Sequence, residues 1–373
     1  MKLAYVGLPC QLQALRKLQF FSEDLEQTWA DSVTLSIGLF CRENWAYTCF
    51  RAMVEDDFGV KLNEVEKFDI KKGKIIGNTG GKTILKIPLP ESKPFVRIGC
   101  KVCLDFSGEL CDLSVGAVGT PPKTSTVIVR TARGMELLKA AGEAGYVDIK
   151  HIDDVKPGVK LVKKLTDDKR EESLEEAQQR EKAGYISKYI STMGINNTEI
   201  IVEEAKTKSF ADLEKDVIDA GMCVSCGTCV SISPDKLKMD EERPKLRDKD
   251  SKTLWKSYLA CPRTSLPVLV MSDDLFSHEE NVNRDSLGHY IDIFAVRVTE
   301  KAGLKKWQDG GAVTALLAYA MSEGMIDEVI SAKHKYWKPE PAVSKNLEEL
   351  YNSAGTIYSY ATNMPVLREE AEK

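Results

Sequence analysis

Short runs of β-branched and apolar residues alternate with longer stretches of mixed polarity at both ends of the chain. Lys2–Val6 (KLAYV), Val33–Leu39 (VTLSIGL) and Thr126–Val129 (TVIV) read as buried strands. Between them, Gln11–Lys17 and Glu43–Phe58 carry helix-compatible spacing. The alternation resumes near residue 290, with Asp292–Val298 as strand, Ala312–Met321 as helix and Asp327–Ser331 as strand. Strands alternating with helices predict an α/β sheet. Between the two regions, Leu161–Lys182 (LVKKLTDDKREESLEEAQQREK) is densely charged and built from good helix formers, which reads as a solvated connecting helix. No fixed-period repeat and no low-complexity tract interrupts this plan.

Composition narrows the class. The 373 residues suit two or three domains, and 43% hydrophobic with 29% charged residues excludes wholesale disorder. A net charge of −5 argues against a nucleic-acid footprint. The apolar run Leu266–Met271 (LPVLVM) is far short of the ~20 residues a membrane helix needs. The opening MKLAYVGLPCQLQALRKL lacks an apolar leader with a small-residue cleavage site, so a cytoplasmic protein is expected.

Ten cysteines change the picture most. In a reducing cytosol, paired cysteines are more often metal ligands or redox groups than disulfides. They fall into two groups more than a hundred residues apart, which suggests two sites. Cys223-Val-Ser-Cys226-Gly-Thr-Cys229 is a C-x2-C-x2-C run, with Cys261-Pro262 downstream. Three closely spaced thiolates plus a distant Cys-Pro suit a ferredoxin-type [4Fe–4S] cluster. Ser233 stands before Pro234 where a two-cluster ferredoxin has a further cysteine, so one cluster is expected here. Structural zinc is the alternative, but zinc ribbons use two separate C-x2-C knuckles.

The other cysteines are dispersed. Cys10 follows a strand in Leu8-Pro9-Cys10-Gln11, Cys41 ends one in Gly38-Leu39-Phe40-Cys41, and Cys100 and Cys103 form a knuckle. Each sits at an element end, where cofactors bind in open α/β sheets. Cys49 and Cys111 read as core thiols. By themselves these four dispersed cysteines leave a metal site undecided. Gly310-Gly311 precede a helix in Lys305–Leu317 and could let a phosphate or flavin approach its N-terminus, though most such pairs are turns. No G-x-G-x-x-G or P-loop is present. His151, His278, His289 and His334 form no cluster and read as ordinary surface or loop histidines.

Residues 3–165 resemble the C-terminal part of the β-subunit family of coenzyme F420-reducing hydrogenase, formate dehydrogenase and F420H2 dehydrogenase. The motifs are Leu8-Pro9-Cys10-Gln11, Ile37–Asn44 (IGLFCREN), Cys100-Lys101-Val102-Cys103, Asp112–Gly119 (DLSVGAVG) and Ser125–Thr131 (STVIVRT). The segment around Gln308–Leu317, Trp337–Pro341 (WKPEP) and Ala354-Gly355-Thr356 resemble the family's N-terminal part. The resemblance implies a first [4Fe–4S] cluster on Cys10, Cys41, Cys100 and Cys103, beside FAD; Cys111 stands where relatives commonly carry Ala. It also implies flavin contacts from Gln308, Asp309, Gly310, Gly311, Thr314, Gly355 and Thr356, with Pro9, Ser114, Gly116 and Gly119.

The family's two parts stand here in permuted order. The resulting expectation is an α/β fold of F420-hydrogenase β-subunit type with an inserted small ferredoxin-like α+β iron–sulfur domain. Its parts would be 1–160, a charged linker 161–200, the ferredoxin-like 201–272 and the flavin-binding 273–373. What the resemblance implies is an oxidoreductase subunit, as in methanogenesis, that passes electrons between coenzyme F420, FAD, two [4Fe–4S] clusters (the second on Cys223, Cys226, Cys229 and Cys261) and partner redox subunits. Those partners would be of hydrogenase, formate dehydrogenase or heterodisulfide reductase type. Lys123, Lys335 and Lys338 are candidates for the anionic F420 tail. Two other readings stay open: an electron-transfer module that never meets F420, and a ferredoxin-dependent reductase of an organic substrate. The permutation also predicts that Lys2–Val6 and Asp327–Ser331 share one sheet, with Cys10 and Gly310 on the same FAD.

Overall fold

The computed structural model describes residues 1–248, 254–304 and 307–373. Its centre is an eight-stranded mixed sheet built from β1 (Leu3–Gly7), β2 (Val33–Leu39), β3 (Leu113–Gly116), β4 (Ser125–Val129), β5 (Val147–His151), β6 (Asp292–Val298), β7 (Glu328–Lys335) and β8 (Lys338–Ser344). The spatial order is β8-β7-β1-β2-β3-β4-β6-β5. Strands β7, β1, β2 and β3 are parallel neighbours, and the remaining neighbour pairs are antiparallel. Both ends of the chain therefore meet in one sheet: Leu3 pairs with Glu328, Ala4 with Val329 and Tyr5 with Ile330. The expected pairing of the first and last α/β segments is present.

Alternation along the strands sorts side chains to two faces. Ala4, Val6, Leu35, Ile37 and Val329 face a core shared with α5 (Ala312–Ser322) and the helix Ala132–Glu143. Leu3, Tyr5 and Ile330 face the opposite way. There they pack with α1 (Pro9–Phe20) and with buried residues from Ile201 to Cys261, including α3 (Thr228–Ile232) and α4 (Trp255–Ala260). The second cysteine segment thus forms part of the layer covering the sheet. It consists of short helices around a two-stranded hairpin, Leu237–Asp240 with Arg243–Leu246.

Two expectations need correction. The charged stretch is one helix, α2 (Val159–Lys182), but it is not simply solvated. Val162, Thr166, Lys169 and Ser173 are buried along one face at helical spacing. That stripe is mostly polar, so hydrophobic patterning does not reveal it. Glu43–Phe58 is helical only from Tyr47; Trp45 instead bridges to Val96 and Ser359.

Candidate functional site

The loops at the C-terminal ends of β1 and β2 converge under α2. Pro9 occupies the first turn of α1, where its missing N–H costs nothing. Gln11 fixes this turn: its Oε1 accepts from Leu8 N–H at 2.9 Å, and its Nε2 donates to the Ala361 carbonyl at 2.9 Å. Cys10 is thereby presented beside the last loop of the chain, with its Sγ 3.4 Å from the Tyr360 hydroxyl. Cys41 leaves the end of β2, its N–H held by the Phe106 carbonyl at 2.8 Å. Cys100 and Cys103 flank the end of the short helix Ile98–Lys101. All four line one small cavity together with Lys169, Tyr360, Val224 and Arg263.

A second small cavity is lined by Cys223, Cys226, Cys229 and Cys261. Gly227 adopts a left-handed φ of +79°, and a Cβ there would come within 2.5 Å of Thr362. This tight turn places Cys229 in the first turn of α3, while Cys261 follows α4. Val224 and Arg263 line both cavities, so the two quartets share a wall. The loops bearing them touch backbone to backbone: Gly99 N–H donates to the Gly221 carbonyl at 3.1 Å, and a Cβ on Gly99 would meet the Met222 oxygen at 2.6 Å. All ten cysteines are free thiols. Among the described residues no three His, Cys, Asp or Glu side chains are close enough to hold a single metal ion. Cys111 is buried on its own and bonds to Gly108 and Leu113 carbonyls, and Cys49 is half-buried, so neither joins a quartet.

Burial raises the thiol pKa of most ligand candidates because it disfavours the thiolate. Cys10 and Cys261 are pushed up to about 12 and Cys223 to about 11. Cys103 goes the other way: burial pushes it up, but the Lys169 ammonium and the Arg263 guanidinium outweigh that effect. Each quartet has a buried lysine on a main-chain carbonyl. Lys169 Nζ donates to Cys41 O at 2.6 Å and Asp105 O at 2.7 Å, and Lys17 Nζ to Cys261 O at 2.8 Å. Arg263 is 2% exposed and lies 4.4 Å from the Tyr189 ring centroid. Among the described residues none of its three guanidinium nitrogens has a hydrogen-bond partner. An unpaired buried cation is costly, so this donor set calls for anionic acceptors inside the cavities. Thiolate-ligated clusters are such acceptors. Sequence patterning missed Arg263, Lys169, Lys17 and Tyr360. Only the position of Arg263, two residues after Cys261, offered a signal.

The expected flavin residues divide. Gln308 Nε2 donates to Asp69 Oδ1 at 3.0 Å. Asp309 lies beside the same carboxylate; burial, then Asp69, raises its pKa. Tyr358, two residues past Thr356, is half-buried, and burial, then Asp309 and Asp69, raises its pKa. Gln308 and Asp309 are therefore brought together around Asp69. Gly355 is exposed with open space around it, and Thr356 and Thr314 are half-buried. Gly311 caps α5, and Pro9 lines the first cysteine cavity. The others are engaged by the protein itself. Ser114 Oγ binds Gly108 O and Arg130 Nε; Gly116 packs on the Phe40 ring, Gly119 on Val162, and Gly310 on Ser125 and Val296. Lys123, Lys335 and Lys338 are exposed. His151, His289 and His334 contact Asp292, Ser272 and Trp337 respectively, and His278 is exposed.

Two family models match, both of the coenzyme F420 hydrogenase/dehydrogenase beta subunit. Residues 1–155 match the model of its C-terminal part and residues 293–368 the model of its N-terminal part; together they span more than half of the residues. The chain belongs to this β-subunit family. Its C-terminal family part precedes its N-terminal part, so the order is permuted. Coenzyme F420 hydrogenase subunit beta of Methanothermobacter thermautotrophicus is 38% identical over 188 residues, covering 50% of this chain and 66% of that protein. Coenzyme F420-dependent sulfite reductase of Methanocaldococcus jannaschii is 37% identical over 181 residues, covering 46% of this chain and 28% of that protein. A solved F420-reducing [NiFe] hydrogenase complex from Methanosarcina barkeri includes a chain 36% identical to this one. The match has a TM-score of 0.45 and covers 48% of this chain and 61% of that one. The chain thus spans just under two thirds of the curated F420 hydrogenase β subunits it matches. Among the described residues no helix is long and apolar enough to cross a membrane.

Proposed function

We propose that the chain is an FAD-dependent coenzyme F420 oxidoreductase subunit with two [4Fe–4S] clusters, exchanging electrons with partner redox subunits. The observation that carries this reading is the pair of cysteine quartets around adjoining cavities with an unpaired cation in their common wall. Cys10, Cys41, Cys100 and Cys103 would hold one cluster, and Cys223, Cys226, Cys229 and Cys261 the other. The C-x2-C-x2-C run with its distant Cys-Pro, in helices flanking a two-stranded hairpin, supports a ferredoxin-like character for the second segment. A flavin exchanges hydride on one side and single electrons on the other, which joins a deazaflavin substrate to one-electron clusters.

The chain's own residues supply binding and orientation. Gln308, Asp309, Gly355 and Thr356 would contact the flavin, and Pro9 and Cys10 lie just past β1. Ser114, Gly116, Gly119 and Gly310 serve this site through packing, because their own neighbours already occupy them. Tyr360, against Cys10, and Lys169, on the Cys41 carbonyl, exclude water from the first quartet.

The test mixes reduced F420 with the anaerobically purified chain and with Cys229→Ser. Both should reduce bound flavin, while only the wild type should pass electrons on quickly to a one-electron acceptor. Bound flavin that dithionite reduces but reduced F420 does not would favour the electron-transfer module. Failure of flavin reduction in a folded Cys229→Ser chain would overturn the proposed order of cofactors.

A further inference from the structure

We propose that Arg263 is a positioning residue shared by the two cysteine quartets, setting the reduction potential of both clusters and linking them; this rests on the two-cluster reading above. Three observations single it out. Arg263 lines both cavities, and its charge acts on Cys103 of the first quartet and Cys226 of the second. It stacks over the Tyr189 ring at 4.4 Å beside the Cys103 thiol, and its nitrogens make no geometric hydrogen bond among the described residues. The other nearby cations are bonded to protein groups, although Arg97 keeps an unpartnered Nε among the described residues. Lys169 and Lys17 each serve one quartet through main-chain carbonyls, and Arg97 is spent on Ser225 and on Glu242 at 2.6 Å.

Reducing a cluster adds one electron and one negative charge. A fixed cation nearby favours the reduced form, and does so strongly away from water. Arg263 therefore raises both potentials together. A planar guanidinium can donate along two directions at once, whereas a lysine ammonium is a compact point charge that suits one site. The shared wall thus explains an arginine here and lysines at the outer sides.

The experiment is a potentiometric titration of the anaerobically purified full chain, followed by electron paramagnetic resonance, with iron and sulfide measured on each sample. In Arg263→Gln both clusters should become harder to reduce, by at least about tenfold in equilibrium constant, or ~59 mV for one electron. Arg263→Lys should give a smaller fall at one or both. Lys169→Met should move the first cluster alone and Lys17→Met the second alone. Should Arg263→Gln fail to assemble, the Arg263→Lys titration decides. Either Arg263 variant keeping its iron but leaving both potentials at the wild-type values overturns the proposal, as does an Arg263→Gln shift confined to one cluster. A wild-type chain with fewer than two clusters would instead overturn the underlying function, and this inference with it.

Discussion

Buried charge is the organising problem at the level of single residues. Lys17, Lys169 and Arg263 are cations almost removed from water, placed around thiols that are themselves buried. Glu109 shows the same tension for an acid. Its carboxyl is pushed up to about 7 by burial and by Asp105, with Arg170 at 2.6 Å and Arg130 pulling the other way. Because the folded pKa is raised, the folded chain holds this proton more tightly than the unfolded chain. Its contribution to stability is full below the ordinary value of 4.5 and is lost as pH rises through about 7. Denaturant titrations of Glu109→Gln should therefore show a weaker fall in stability across that window than the wild type. A parallel pH profile would show that Glu109 is not the group responsible. The two cysteine quartets were legible in the sequence because spacing and a shared motif mark them. Arg263 was not, since a lone arginine carries no pattern and only the fold shows it unpaired.

Among the elements, the contact between the Gly99 loop and Met222 holds the two quartets together. A Cβ on Gly99 would sit 2.6 Å from a main-chain oxygen, which cannot swing aside as a side chain would. Gly99→Ala should cost about 1–3 kcal/mol, read as a lower thermal midpoint, and should reduce iron binding at both quartets. Unchanged stability and iron would show that this approach is not needed. Five of the eight strands of the central sheet and α5 were readable from alternation and helical spacing, to within a residue or two at most ends, whereas β3, β5 and β8 were not. Helix α2 was readable as a helix but not as a wall of the site. Its buried face is Val162, Thr166, Lys169 and Ser173, and polar side chains that bury by bonding to main-chain carbonyls give no hydrophobic signature.

On the scale of the molecule, the permuted order is absorbed by the parallel pairing of β1 with β7 inside one chain. Closing a long connection costs only logarithmically more as it lengthens, so the inserted segment is tolerated. With free FAD held at saturation, flavin bound per chain should then stay constant over about a hundredfold dilution of the chain, because the site needs no second copy. Loss of flavin on dilution would indicate exchange of the last segment between copies. The pairing was foreseen from the motifs alone. The merging of the second cysteine segment with the α1 core was not, because its apolar residues are scattered over short helices.

The central claim is that eight cysteines form two adjoining cluster sites, and metal analysis of the anaerobically purified chain tests it most directly. The account predicts about eight iron and eight sulfide per chain, one cubane for each quartet. Four iron accompanied by bound zinc would contradict it.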